Sequence, residues 1–355
     1  MDWNQNSITS KLRIKYPIFQ APMAGGMTTP QLISEVSNSG GLGNMGAGYM
    51  SSVEIRDDIK QIRKLTDQPF GVNLFVPDSE ASASAEVISS IGDVLAGYSS
   101  ELGMKEKPSL PKKDYAALYR KQLDVLIEER VPVCSFTFGL PDSAIISELK
   151  KRGTVIIGTA TNVNEAVEWE EAGADVIVAQ GIEAGGHRGT FHSEESGLIG
   201  SMALIPQVAD AVSCPVAAAG GIMDARGIAA AMMLGAAGAQ LGTAFLTCKE
   251  SGAHSLYKHA LLNAGEGQTA LTKSFSGKLA RGIRNRFMEE MKGLQALPYP
   301  LQNDMTAPIR KEAAKLERPE FMSLWAGQGL RLAEEVTVKE LMIKLVKGTE
   351  ALLDK

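Results

Sequence analysis

The chain has 355 residues, 44% of them apolar and 22% charged, with a net charge of −5. That length allows one large domain or two modest ones. The acidic balance leaves no basic footprint for nucleic acid, and no run approaches the ~18 consecutive apolar residues of a membrane span. Three cysteines without a Cys-x-x-Cys pair argue against a disulfide framework or a zinc site, so no metal is expected. The opening MDWNQNSITSKLRIKYP lacks the apolar stretch of a secretory signal, and a cytoplasmic location is the expectation.

In chain order, eight short apolar runs read as strands: 16–22, 42–48, 70–76, 131–139, 154–161, 175–181, 214–222 and 238–245. Several follow a helix-like stretch ending in Gly, as in RGTVIIGTAT (152–161) and AGADVIVAQG (172–181), where Gly suits a left-handed helix end. Uniformly apolar runs fit parallel strands buried on both faces. Helical patterns separate them. Asn162 is a candidate N-cap with Glu165 to answer it, and Asp224 is another. Segment 200–213 puts Ile205, Val208 and Val212 on one helical face.

Eight strands alternating with helices predict an α/β fold, a (β/α)8 TIM barrel with a C-terminal helical cap. An open doubly wound sheet is the alternative. The long connections 77–130, with a helix over about 114–130, and 182–213 both follow strand C-termini, the face where barrel active sites lie. The strand pattern stops at about 246. The rest reads as helical, which divides the chain into a barrel over 1–265 and a cap over 266–355.

Candidate functional residues gather at strand C-termini. After strand seven comes AAAGGIMDARG (217–227). Gly220 and Gly221 would let the backbone approach a ligand, with the free amides of the helix starting near Asp224 behind them. After strand eight comes GAQLGTAF, with Gly242 and Thr243; these two loops form the recurring phosphate corner of such barrels. The blander reading is that these glycines only serve tight turns. After strand six, GIEAGGHRGTF carries His187 between Gly185, Gly186 and Gly189, a candidate acid, base or hydrogen-bond donor rather than a solvated loop residue. His192, His254 and His259 lack that setting. Asn73 in strand three and Gln180 at the end of strand six are amides in apolar surroundings that need partners, and a flavin ring edge would supply them. Met23, with the glycines after it, would lie against a flat ring. GLGNMG (41–46) spells a dinucleotide-loop pattern but reads as a strand preceded by a helix, the wrong context for one. Cys134 reads as a core thiol.

YPIFQAPMAGG, PFGVNLFVP, VPVCSFTFGLP, AQGIEAGGHRG, AAAGGIMDARG and QLGTAFLT resemble, in order and place, the nitronate monooxygenases, formerly called 2-nitropropane dioxygenases. The likeness runs on through FSGKLARGIRNRF (275–287), PYPLQNDMTAPIRKEA (298–313) and LWAGQG (324–329). The resemblance implies a noncovalent FMN. Gly220, Gly221, Gln240, Leu241, Gly242 and Thr243 would hold its phosphate end, Gln180 and Gly185 would lie alongside, and Asn73 and Met23 would sit near the ring. His187 matches the active-site histidine. The implied reaction oxidises an alkyl nitronate with O2 to a carbonyl compound and nitrite, the substrate's electron passing through FMN to oxygen. The implied partners are a small nitronate and O2, with no nucleic acid or membrane and with self-association open. The rivals are FMN-dependent enoyl-acyl-carrier-protein reductases, an NADH:quinone reductase and a non-catalytic flavin sensor. An inosine-monophosphate-type dehydrogenase would need a loop cysteine that 181–199 lacks.

Overall fold

The structure, a computed structural model, describes residues 3–77 and 82–353. Eleven strands run among the described residues: β1 (Ile18–Gln20), β2 (Gly43–Gly46), β3 (Phe70–Phe75), β4 (Val133–Thr137), β5 (Val155–Ala160), β6 (Val176–Gln180), β7 (Gly186–His187), β8 (Val216–Ala219), β9 (Gly238–Leu241), β10 (Thr269–Thr272) and β11 (Ala280–Ile283). Eight of them form one parallel sheet in the order β1-β9-β8-β6-β5-β4-β3-β2. A parallel bridge between Phe19 and Leu42 joins the two ends and closes the ring. Each of these strands falls inside one of the eight apolar runs. The (β/α)8 expectation therefore holds, and the open sheet does not.

Apolar side chains fill the ring on both sides. Phe19, Leu42, Val133, Ile157, Val176 and Val178 cluster with Ile8 and Leu12 of the helix Ser7–Leu12. Burial of such side chains contributes on the order of 1.5–3 kcal/mol each against the entropy of ordering the chain. Outside the ring the helices press close. A Cβ on Gly158 of β5 would collide with the buried Trp169 ring, whose Nε1 donates to the Thr159 carbonyl at 3.1 Å.

The sequence-level helix ends are present. Asn162 caps the helix Val163–Glu171 by accepting from the Glu165 amide at 3.0 Å, and Asp224 caps Ala225–Met233. Glu165 does not reciprocate. Its buried carboxylate accepts from the Thr161 amide and hydroxyl, the Thr190 hydroxyl and the Phe191 amide. It thereby ties the connection after β6 to the barrel, and these bonds hold its pKa below the usual value despite burial. Ile205, Val208 and Val212 are all buried, on and just beyond the helix Ser201–Ala211.

The connection after β3 holds two helices, Ala85–Glu101 and Tyr115–Glu128; residues 78–81 of its Ser/Ala-rich start lie outside the described residues. The expectation that strands stop at about 246 fails. β10 and β11 pair antiparallel, and β11 also pairs with β7 in the connection after β6. Their residues, TALT and ARGI, do not form the uniformly apolar runs of the barrel strands, and β11 finds its second partner more than ninety residues upstream. A second core lies over the strand C-termini, joining Ile91 and Leu95 to Phe275, Phe287, Met305 and Ile309. The helix Val338–Leu353 lies elsewhere: Leu341, Met342 and Leu345 pack with Leu32 and Val36 of Pro30–Asn38 and with Ile228 of Ala225–Met233. It sits against the helix that follows the first barrel strand and the helix that precedes the last one. No helix among the described residues is long and apolar enough to cross a membrane.

Candidate active site

The C-terminal ends of the strands surround one pocket of about 1140 Å³. Met23 and Asn73 line it from the β1 and β3 side, Gln180, Gly185 and His187 from the connection after β6, and Gly220, Gly221, Gln240, Gly242 and Thr243 from the last two strands. Leu241 does not reach it. Side chains alternate along β9, so Gln240 faces the pocket while Leu241 is buried with Ile18, Leu32 and Ala239 under the helices.

The glycine corner presents unsatisfied donors. Gly220 and Gly221 have φ of +110° and +73°, a backbone that glycine adopts without strain. No acceptor among the described residues meets the backbone amides of Gly221, Gly242 or Thr243. The helix behind this corner differs from expectation. Its Arg226 and Gly227 amides are not free, because the Asp224 carboxylate accepts from both. A cap residue that fits this helix end also occupies it. The Gly221 amide and those of Gly242 and Thr243, where the short helix Thr243–Leu246 begins, are the donors left for an anion, rather than the Arg226 and Gly227 amides.

The two side-chain amides, Asn73 buried and Gln180 half-buried, have protein partners. Asn73 donates to the Ser135 hydroxyl at 2.9 Å and the Thr137 hydroxyl at 3.2 Å. Gln180 donates to the His187 carbonyl at 3.0 Å and accepts from the Gly189 amide at 2.8 Å, so it fixes the histidine's backbone from both sides. Arg188, 1% exposed, spans the same loop by donating to the carbonyls of Gly181, Gln180 and Gly197. Across β7, His187 pairs with Ala280 of β11. Gly185 has no room for a Cβ, which would lie 2.5 Å from the Gly327 nitrogen.

The His187 side chain sits in an aromatic enclosure of Phe75, Phe138, Tyr299 and Trp325, with ring centroids 5.5–6.3 Å away. Its Nε2 lies 2.8 Å from the Ser276 hydroxyl, and Nδ1 has no partner among the described residues. Burial, reinforced by the charges of Lys278 and Arg310, lowers its pKa to about 3, so the imidazole is neutral at ordinary pH.

Beyond Tyr49, Phe75, Tyr257 and Trp325 the pocket continues into a second chamber of about 1660 Å³ lined by Tyr115, Tyr299, Asp304 and Arg310. The Arg310 guanidinium donates to the Asn303 carbonyl and side chain, while its buried Nε lacks an acceptor. Sequence reasoning named none of Tyr49, Phe138, Ser276, Tyr299, Arg310 or Trp325 as site residues. Four of these stand in segments that carry the resemblance after residue 270: FSGK, PYPLQNDMTAPIR and LWAGQG. Phe138 stands in VPVCSFTFGLP, and Tyr49 in none.

The profile of the nitronate monooxygenase family matches residues 5–348. A protein of Staphylococcus aureus described as a probable nitronate monooxygenase is 47% identical over 348 residues, 97% of each chain. Among solved structures, the nitroalkane oxidase from Streptomyces ansochromogenes is 40% identical with a TM-score of 0.91, covering 98% of this chain and 99% of that one. FabK from Thermotoga maritima is more distant, 31% identical with a TM-score of 0.77, covering 99% and 97%. With the family matched along nearly its whole length, the chain is an oxidoreductase of the nitronate monooxygenase family.

Proposed function

We propose that the chain holds FMN in this pocket and oxidises alkyl nitronates with O2 to carbonyl compounds and nitrite. One observation carries the reading: the unsatisfied amides of Gly221, Gly242 and Thr243 share a pocket with the neutral imidazole of His187. Three amides without protein acceptors on one pocket suit a phosphate, and Met23, Ala21 and Pro22 offer the apolar surface that a flat ring needs. FMN, when bound, supplies the one-electron chemistry between nitronate and oxygen.

The chain's own part is binding and proton placement. A nitronate carries its charge on oxygen, and a neutral imidazole can donate one hydrogen bond to it from its single N–H without carrying a charge of its own. Ser276 decides which nitrogen does so. When its hydroxyl donates to Nε2, the proton sits on Nδ1, ready for a nitronate oxygen; when it donates to the Lys278 carbonyl, 3.1 Å away, Nε2–H donates to Ser276 and Nδ1 becomes an acceptor. The second form suits removal of an α-proton from a neutral nitroalkane, but so weakly basic an imidazole serves that task poorly. Four aromatic rings wall this exchange on several sides. The free thiols Cys134, Cys214 and Cys248 fit a reducing, cytoplasmic setting.

The likeness to FabK keeps a nicotinamide-dependent reductase as the competing reading. Purified yellow protein mixed with an alkyl nitronate under air is expected to release nitrite in step with oxygen consumed, and NADH or NADPH under argon is expected to leave the flavin oxidised for minutes. Rapid bleaching by NADPH with no nitrite from any nitronate overturns the proposal in favour of the reductase.

A further inference from the structure

The connection after β6 leaves the barrel at Gln180 and Gly181 and reaches the turn Glu195–Gly197 before the helix Ser201–Ala211. Arg188 stands between. Its guanidinium donates to the carbonyl of Gln180 at 2.6 Å, of Gly181 at 2.5 Å and of Gly197 at 2.9 Å, so one planar group joins both ends of the connection. The next carbonyl, that of Ile182, accepts from Arg281 of β11 at 3.0 Å. Gln180 does less: its side chain reaches the His187 carbonyl and the Gly189 amide but not the far end at Gly197.

Arg188 holds this place at a cost. It is buried, its acceptors among the described residues are backbone carbonyls rather than carboxylates, and its Nε has none. Burial lowers its pKa to about 10, which leaves it charged at neutral pH. Taking a cation out of water without a paired anion is expensive. An apolar side chain of similar volume would fill the same space at lower cost, but it could not tie residues 180 and 181 to residue 197.

His187 and Arg188 are successive residues of the run that pairs with β11. His187 lies opposite Ala280, and the Arg188 amide donates to the Leu279 carbonyl at 2.8 Å. Side chains alternate along such a run. The Arg188 side chain is anchored on the face of the three carbonyls, and the His187 side chain takes the other face, where it lines the pocket and meets Ser276. We propose that Arg188 is a positioning residue for His187: by tying the two ends of the connection together it fixes which face of the run turns to the pocket, and so aims the imidazole at Ser276 and the ligand. This rests on the reading of His187 as the group that meets substrate.

Arg188→Lys keeps the charge but loses the fork that reaches both ends. In the flavin-loaded protein it is expected to keep its flavin and to exchange amide hydrogens faster across residues 181–197 alone. Turnover of a nitronate is expected to fall about tenfold or more, the scale of a misaimed catalytic group. In the His187→Ala background the same substitution is expected to change turnover by less than about twofold, because Arg188 acts through the imidazole. Arg188→Gln, which removes the charge as well, is expected to behave alike. Equal falls in both backgrounds, meaning a general loss of structure, overturn the proposal. So do unchanged turnover in Arg188→Lys where His187→Ala is inactive, exchange over 181–197 that does not quicken or that quickens over the whole barrel, and failure of both variants to fold. Full turnover in His187→Ala sinks the reading of His187 itself, and so marks that failure apart from a failure of Arg188.

Discussion

The Nε2 of His187 and the hydroxyl of Ser276 lie 2.8 Å apart although 89 residues separate them in the chain. Ser276 is 1% exposed and also lies 3.1 Å from the Lys278 carbonyl, so its rotor has two protein partners and the imidazole has two corresponding tautomers. Replacing Ser276 by Ala removes the group that distinguishes them. A lost hydrogen bond of about 1 kcal/mol corresponds to a roughly fivefold to tenfold fall in kcat/KM for a nitronate. Ser276→Thr is expected to retain most of it. Unchanged nitrite release by Ser276→Ala would remove Ser276 from the mechanism.

His187→Ala is expected to keep flavin and melting temperature while turnover falls by ~10²-fold or more, the range for a lost acid–base or donor group. The backbone bonds that hold this loop do not use the imidazole: Gln180 binds the His187 carbonyl, and Arg188 binds neighbouring carbonyls. Nitrite assay beside a thermal melt separates the two effects. A fully active variant would return His187 to a purely local role.

The glycine corner makes a prediction about flavin, not catalysis. A Cβ at Gly242 would meet only Ala21, at an ordinary 3.6 Å, so Gly242→Val should fold. Its side chain would nevertheless crowd the amides of Gly242 and Thr243. The expected result is purification with little flavin, read from the absorbance ratio of flavin to protein. Gly221→Val, strained at φ +73°, should lose flavin and some stability together. Full occupancy in both would place the phosphate elsewhere.

The depressed His187 pKa sets a stability slope. In the unfolded chain this histidine takes a proton near pH 6.5; in the folded chain it refuses one until about pH 3. Below pH 6.5 the unfolded state therefore binds more protons, and folding loses up to ~1.4 kcal/mol per pH unit as pH falls. His187→Gln should show a shallower loss between pH 6.5 and 5. Urea unfolding at several pH values checks this, and parallel slopes would mean the folded imidazole titrates normally.

The same weak basicity ranks substrates. A preformed nitronate needs no proton removed, whereas the parent nitroalkane does, and an imidazole with a pKa of about 3 is a poor base for it. The nitronate is expected to exceed its neutral parent in kcat/KM by at least ~10²-fold, compared in parallel oxygen-uptake assays. Equal rates would assign a stronger base to the site.

The sequence by itself determined the barrel and which of its loops line the pocket at the strand C-termini. Parallel strands buried on both faces must be uniformly apolar, and the turns that end them need residues such as Gly220 and Gly221, so both leave marks at fixed local spacing. The same holds for the caps Asn162 and Asp224 and for the Gly-framed His187. Tertiary structure alone decided the rest. The resemblance sets Leu241 beside Gln240 at the phosphate end, whereas the pleat of β9 puts the two side chains on opposite faces, and only Gln240 lines the pocket. β10 and β11 are legible only once β7 lies beside them. The Asp224 side chain fills the helix end that sequence left open for a ligand. Ser276, Tyr299 and Trp325 reach His187 because the second core sets their segments over the barrel mouth. Local backbone requirements are written at short range, whereas the partner across a pocket depends on how distant segments pack, and no local pattern records that.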